Sequence, residues 1–355
     1  MYNDHAVCYT YTSMSDLEAT PFRKLDEIDS LLSSVIGDSL LRNESMSRHT
    51  TLKVGGPAQW FWSAQDVNQL SNILSICTNR SIPYLFVGHG SNLLMSDAGY
   101  AGLIIKNRCK NTTIGRVTAA ESGVSFGSLY LQTARAGYSG LEWAIGIPGT
   151  VGGALVSNAG AYRGNIGPLV RSLRVFTEGS DLTVGPEWME FSYRDSRLRR
   201  YGVGRDVILS CELNLNPADP LAIQATANVY KAERRVKQPV FPSAGSFFKN
   251  VNNREFAESL SGLPPRLREA GVVPAGFLIE ICGLKGFRVG GAGVSIEHAN
   301  FLINAVNASA SDIRDLASIV KARVFDKFGV EIEEEVLYVG DWSSYRTESR
   351  GNDPK

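Results

Sequence analysis

Five glycines crowd into the seventeen residues Gly146-Ile147-Pro148-Gly149-Thr150-Val151-Gly152-Gly153-Ala154-Leu155-Val156-Ser157-Asn158-Ala159-Gly160-Ala161-Tyr162. Each glycine costs about 1 kcal/mol against alanine in a helix, so such density points to backbone approached closely by another chain segment or a ligand. A Walker phosphate loop is excluded, because no Gly-Lys-Ser/Thr follows. Backbone N–H groups at Gly149, Thr150, Gly152, Gly153, Asn158, Gly160 and Ala161 could instead face a pyrophosphate, compensating its charge by dipoles and not by lysines.

Earlier in the chain, a first glycine loop, Gly88-His89-Gly90-Ser91-Asn92, follows the apolar run Pro83 to Val87, a tight turn at a strand end where amides can converge on phosphate. Alone, an ordinary turn explains it equally well. A Rossmann loop does not, because no third glycine falls in register and Leu93-Leu94-Met95-Ser96-Asp97 does not open a helix.

Charge adds nothing to recruit an anion: 36 lysines and arginines balance 36 aspartates and glutamates, so nucleic acid or an anionic membrane is not expected as a partner. Any anionic ligand needs a local basic pocket. The five cysteines are odd in number, far apart and never in a C-x-x-C pair, which indicates neither a disulfide framework nor a metal site. The start has no basic and apolar leader, and no uncharged run approaches the ~20 residues that span a bilayer. A cytoplasmic protein is expected.

The texture suggests an α+β chain in two parts. Residues 1–45 form an extension with a first helix, 46–217 a first domain, 218–340 a second, and 341–355 a polar tail, the boundary falling at Pro217-Ala218-Asp219-Pro220. Short strands are expected at Tyr84 to Val87, Leu103 to Lys106, Leu173 to Phe176 and Val207 to Leu215. Amphipathic helices are expected around Val67 to Thr78, Phe126 to Ala136 and Ala222 to Lys237. A capping box at Ser309 to Asp312 opens a last helix with Ile313, Leu316, Val320, Val324 and Phe328 on one face. Gly329 closes it before a strand from Val330 to Val339.

Three further segments carry chemistry-bearing side chains: Tyr193-Arg194-Asp195-Ser196, Gly245-Ser246-Phe247-Phe248-Lys249-Asn250 and Glu333-Glu334-Glu335 through Gly340. Each has an ordinary reading. Arg194 could form a surface ion pair, Ser246 could be a turn hydroxyl, and the glutamates could line an exposed strand face.

Their joint order resembles the UDP-N-acetylenolpyruvoylglucosamine reductase family, from about Arg48 to Gly340. Thr50, Gly55-Gly56-Pro57-Ala58, both glycine loops, Ala275-Gly276-Phe277-Leu278-Ile279-Glu280 and the three segments above all carry the likeness. The resemblance implies an FAD-binding domain of the PCMH, or vanillyl-alcohol-oxidase-like, type followed by a smaller α+β substrate-binding domain. It also implies the shorter, type II subtype of the family. Val251 departs from the proline that often follows the serine motif.

What the resemblance implies for activity is reduction of UDP-N-acetylglucosamine enolpyruvate to UDP-N-acetylmuramate in peptidoglycan precursor synthesis. NADPH reduces FAD and leaves, and the enolpyruvyl ether then takes hydride from the flavin. Negative charge then develops beside the substrate carboxylate, where Arg194 and Glu335 match the family's residues. A planar guanidinium can clamp a carboxylate, whereas a glutamate helps there only if protonated. Strand alternation would put Glu331, Glu333 and Glu335 on one face, so geometry leaves the three open and the motif selects Glu335. Ser246 matches the residue that protonates the carbanionic carbon, which a weak acid can do if held in contact. A serine-hydrolase reading fails for want of a Gly-x-Ser-x-Gly elbow or a His–Asp pair.

Lys237 and Asn250 align with substrate-binding positions, and Tyr162 and Lys285 are candidates by location; Lys237 could equally satisfy a helix C-terminus. No histidine has the setting of covalent flavin attachment, so dissociable FAD is expected, acting in a monomer. Two rivals remain at this point: another flavin oxidoreductase on the same fold, or a flavin-binding module without catalysis.

Overall fold

The computed structural model of the chain describes residues 22–202 and 204–345. The polar N-terminal stretch before Phe22 and the end of the tail lie outside the described residues.

Helix α1 (Phe22–Ile36) buries Leu32 and Ile36 against a mixed sheet. In that sheet β1 (Leu41–Ser45) runs antiparallel to β2 (Pro57–Ala64). Helix α2 (Val67–Asn79) follows, its first N–H groups satisfied by the Asp66 carboxylate. Strand β3 (Tyr84–Val87) then leads through the first glycine loop to β4 (Leu93–Met95) and on to β5 (Tyr100–Asn107). The spatial order is β1-β2-β5-β3, with β5 parallel to both neighbours. Leu103, Ile104 and Ile105 are all buried, the unbroken apolar run that a parallel strand covered on both faces requires. Leu103 and Ile105 join the layer of α1 and α2, while Ile104 faces Phe61, Met95 and Val339.

The second sheet is antiparallel. From β6 (Thr112–Thr113) and β7 (Val117–Glu121) its order continues through the strands Val207–Asn214, Val170–Thr177 and Ser180–Val184. Helix α3 (Phe126–Arg135), the short α4 (Val151–Val156) inside the glycine-dense segment, and α5 (Pro220–Lys237) cover it. Phe126, Leu129, Leu155, Ile223 and Ala227 share that core. Asp219 caps α5, and Pro220 occupies its first position, where a missing N–H costs nothing.

The last part sets the small strands Arg288–Val289, Ala292–Val294 and Leu302–Asn304 against the helix Ala310–Phe328. The capping box at Ser309 and Asp312 and the left-handed Gly329 bound this helix where its sequence signals put them. Ile313, Leu316, Val320 and Val324 are wholly buried, each worth roughly 1.5–3 kcal/mol. Leu52, Val54 and Leu94 join this same core, so apolar contact joins this last part to the segments around Leu52 and Leu94.

Two expectations need correction. The run Val330 to Val339 is not one strand: Glu334 forms an isolated bridge with Phe248, and only Leu337–Val339 is a strand, parallel to β4. The tail is also not wholly polar and loose. Trp342 is buried, Tyr345 packs edge-on against it, and the Arg314 guanidinium lies over both rings. Aromatic rings offered to a cation hold this segment down where composition alone suggests a free end.

Candidate active site

The hairpin that carries Arg194 is closed by reciprocal backbone bonds between Ser192 and Asp195. Arg194 itself sits at φ +53°, a left-handed conformation unusual outside glycine and often found at functional positions. The glycine-dense segment holds the hairpin there. Asn158 Nδ2 donates to the Ser192 carbonyl at 2.7 Å, Ser196 Oγ donates to the Val156 carbonyl at 2.6 Å, and Arg194 Nη2 donates to the Gly160 carbonyl at 2.7 Å. Asp195 and Glu190 both pair with Arg200 at 2.6 Å, bracing the far side.

Opposite stands Glu335. Its carboxylate Oε1 lies 3.3 Å from Arg194 Nε, and its side chain is only 16% exposed against 74% for Glu333. Glu331, Glu333 and Glu335 therefore do not share a face: Glu331 and Glu333 are exposed, Glu333 pairing with Lys249, whereas Glu335, like its neighbour Glu334, is only 16% exposed and meets Arg194. The break in the strand after Glu334 makes this placement available.

Ser246 lies on the segment beside it. The Glu335 N–H donates to the Phe247 carbonyl at 2.7 Å, and the Lys249 N–H to the Glu333 carbonyl at 2.8 Å, which fixes the register of the two segments. The half-buried Ser246 follows Gly245, whose φ of +81° needs glycine and whose Cβ position would meet open space. Asn250 Oδ1 accepts the Ala275 N–H, and Asn250 lines a cavity of about 290 Å³ with Tyr193 and Lys249.

The two glycine loops meet. A Cβ on Gly88 would lie 2.5 Å from Thr150 Oγ1, and one on Gly149 would lie 2.9 Å from Ser91 Oγ, so glycine is what lets them nest. Their donors differ. Val151, Gly152 and Gly153 already donate to the Val124 carbonyl, the Ser122 carbonyl and Thr150 Oγ1. Among the described residues, the N–H groups of His89, Gly90 and Ser91 donate to no protein acceptor. Lys106, Arg108 and Lys53 gather nearby, and burial, then the two neighbouring cations, pushes the Lys106 ammonium down. A phosphate-bearing cofactor would fit the Gly88 to Asn92 loop, where cations join the amides; in the glycine-dense segment, for which dipoles alone were expected, the N–H groups of Val151, Gly152 and Gly153 are already taken.

The chain matches two family models, the FAD binding domain over residues 58–184 and the UDP-N-acetylenolpyruvoylglucosamine reductase, C-terminal domain over residues 236–339. It is 38% identical over 320 residues to UDP-N-acetylenolpyruvoylglucosamine reductase of Geobacter metallireducens, covering 89% of this chain and 99% of that one. The corresponding protein of Caldicellulosiruptor bescii is 37% identical over 87% of this chain and 93% of its own length. The chain belongs to the UDP-N-acetylenolpyruvoylglucosamine reductase family. A crystal structure of the reductase from Thermus caldophilus matches with a TM-score of 0.67 at 32% identity, covering 83% of this chain and 97% of that chain.

For a reductase of this family, the remaining candidate residues are spread unevenly. Tyr162 stacks on Tyr230 with centroids 4.0 Å apart and donates to its carbonyl, close behind Gly160. Lys285 pairs with Glu280 at 2.8 Å on the last part of the chain. Lys237 ends α5, and its side chain lies outside the described residues. The Asn158 N–H, expected to face the cofactor, donates to the Leu155 carbonyl at 3.2 Å, and the side chains of both asparagines bond the protein: Asn92 Nδ2 donates to the Glu335 carbonyl at 3.1 Å, and Asn158 bridges Ser192 and Gly167.

Sequence reasoning missed two arginines. Arg199 reaches the carbonyls of Glu334 and Glu335, and Arg234 lies over the Tyr162 ring near Arg194, its ionisation pushed down chiefly by burial. Both stand in runs of basic residues, which look like solvated surface until the fold buries one member.

Proposed function

We propose that Arg194, Ser246 and Glu335 carry the reaction of this flavin-dependent oxidoreductase, the reduction of UDP-N-acetylglucosamine enolpyruvate to UDP-N-acetylmuramate. The observation that carries the reading is the 3.3 Å pairing of Arg194 with Glu335, on a segment whose register is set by the residue after Ser246. In the reading, residues 46–217 hold FAD and residues 218–340 supply most of the substrate's contacts. His89, Gly90 and Ser91 would hold the cofactor's diphosphate through their N–H groups. When bound, FAD supplies the transfer of hydride from NADPH to the enolpyruvyl double bond.

The protein's own part is electrostatic and acid–base. Arg194 clamps the substrate carboxylate as charge accumulates on it, its fork geometry suited to two oxygens at once. Glu335, held 3.3 Å from Arg194 Nε, faces the same group. Ser246 gives its hydroxyl proton to the carbon next to that carboxylate, completing addition across the double bond. Asn250, lining the cavity beside Tyr193, would contact the sugar nucleotide, with Lys237, Tyr162 and Lys285 as further contacts. A monomer is the proposed acting form, and a UDP-sugar and NADPH as reactants favour the cytoplasm.

Anaerobic stopped-flow absorbance tests the reading. NADPH should bleach the flavin of both the wild type and Ser246→Ala, and the enolpyruvate should restore colour rapidly only in the wild type. Equal reoxidation in both would remove Ser246 from the reaction. A reduced wild type that ignores the enolpyruvate would overturn the assignment as a whole.

A further inference from the structure

We propose that Arg199 is a positioning residue for Glu335, an inference that rests on the role given to Glu335 above. Arg199 lies in a π-helical turn, Leu198–Gly202, a rare element concentrated at functional sites, and it is 6% exposed. Its Nη2 donates to the Glu335 carbonyl at 2.7 Å and to the Glu334 carbonyl at 3.3 Å.

The reason for burying a guanidinium there lies in the chain's change of partner. Up to Glu335 the segment pairs with Phe247 to Lys249; from Leu337 it pairs with β4, where the Leu337 N–H donates to the Asn92 carbonyl at 3.0 Å. The peptide at the switch belongs to neither ladder on its carbonyl side, and a buried carbonyl requires a donor. Arg199 supplies one and Asn92 Nδ2, at 3.1 Å, the other. With its N–H on Phe247 and its carbonyl held twice, Glu335 has little freedom, and its carboxylate is aimed at Arg194. Arg199 thus acts through Glu335. It sits five residues after Arg194, so one segment supplies both the partner of the carboxylate and the anchor of its backbone.

Arg199→Met and Arg199→Lys, each alone and combined with Glu335→Gln, test this in the flavin-loaded protein. The rate of flavin reoxidation by the enolpyruvate is read beside flavin content and the rate of reduction by NADPH. Arg199→Met should slow reoxidation about tenfold or more, the scale of a sub-ångström to ångström misplacement, while leaving reduction by NADPH within about twofold. Combined with Glu335→Gln, it should add little, because both changes act at one point. Arg199→Lys, which keeps a donor, should recover part of the rate, and it carries the comparison if the methionine variant does not fold. An equal loss with and without Glu335→Gln, or an equal fall in both half-reactions, would reduce Arg199 to a structural residue and overturn the inference alone. Wild-type reoxidation by Glu335→Gln itself would overturn the role of Glu335, and the inference with it.

Discussion

Arg194 reaches Glu335 through Nε at 3.3 Å and the Gly160 carbonyl through Nη2 at 2.7 Å, so one guanidinium ties the hairpin, the glycine-dense segment and the carboxylate together. A lysine ammonium is a point donor and cannot reproduce both directions. Arg194→Lys should therefore slow reoxidation of reduced flavin by the enolpyruvate by about 10²-fold, as loss of a preorganised donor does elsewhere. Single-turnover absorbance checks it; a loss under about threefold would show that charge alone suffices.

Nesting of the loops has its own test. Gly88→Ala brings a methyl within 2.5 Å of Thr150 Oγ1, the hydroxyl that caps α4. The loops must part, and the donors on His89 to Ser91 move with them. FAD affinity, measured by quenching of flavin fluorescence, should fall about tenfold or more, a loss of roughly 1.4 kcal/mol. Unchanged affinity would mean that the first loop does not hold the cofactor.

Asn158, 5% exposed and at φ +42°, bonds Ser192 through its NH₂ and the Gly167 N–H through its oxygen. Asn158→Asp keeps the shape and tolerates the backbone but sets a carboxylate oxygen against the Ser192 carbonyl. A cost of about 1–3 kcal/mol in unfolding free energy is expected, read from the urea midpoint. An unmoved midpoint would mean that the hairpin does not depend on this bridge.

Asp29 on α1 receives a bidentate bond from Arg42 at 2.7 Å and one from the buried Trp60 Nε1 at 2.8 Å. The Arg42 hydrogen bond holds the Asp29 carboxyl below its usual range against the opposing effect of burial, with Trp60 assisting. A depressed carboxyl contributes stability above its unfolded pKa and loses it as pH falls through the folded value. Asp29→Asn keeps an acceptor for Trp60 and removes the charge. The wild type should have the higher urea midpoint at pH 7, by a modest margin because the pair is exposed, and the gap should close below about pH 4. A gap constant with pH would deny the ion pair any part.

Much of this was legible in local patterns. Ser309 and Asp312 announce a capping box, Gly329 a helix end, and the apolar spacing from Ile313 to Val324 a buried face, because each depends only on residues a turn or two away. The strand Leu103 to Lys106 lies inside β5 for the same reason. The motifs around Arg194, Ser246 and Glu335 could be found as strings, and the glycine density correctly signalled close approach of backbones.

By itself, then, the sequence determined the helices around Val67, Phe126 and Ala222 and the one capped at Ser309, the strands around Tyr84, Leu103, Leu173 and Val207, the α+β class and the family resemblance, since all of these are written in neighbouring residues. Only the tertiary structure decided that Glu335 meets Arg194 while Glu331 and Glu333 stay exposed, that the side chains of Asn92 and Asn158 bond the protein's own backbone, and that Arg199 is buried against the Glu335 carbonyl. These outcomes depend on where one segment stops pairing with Phe247 to Lys249 and begins pairing with β4. That register joins residues more than about eighty positions apart, and a change of partner leaves a carbonyl whose donor no local periodicity can name.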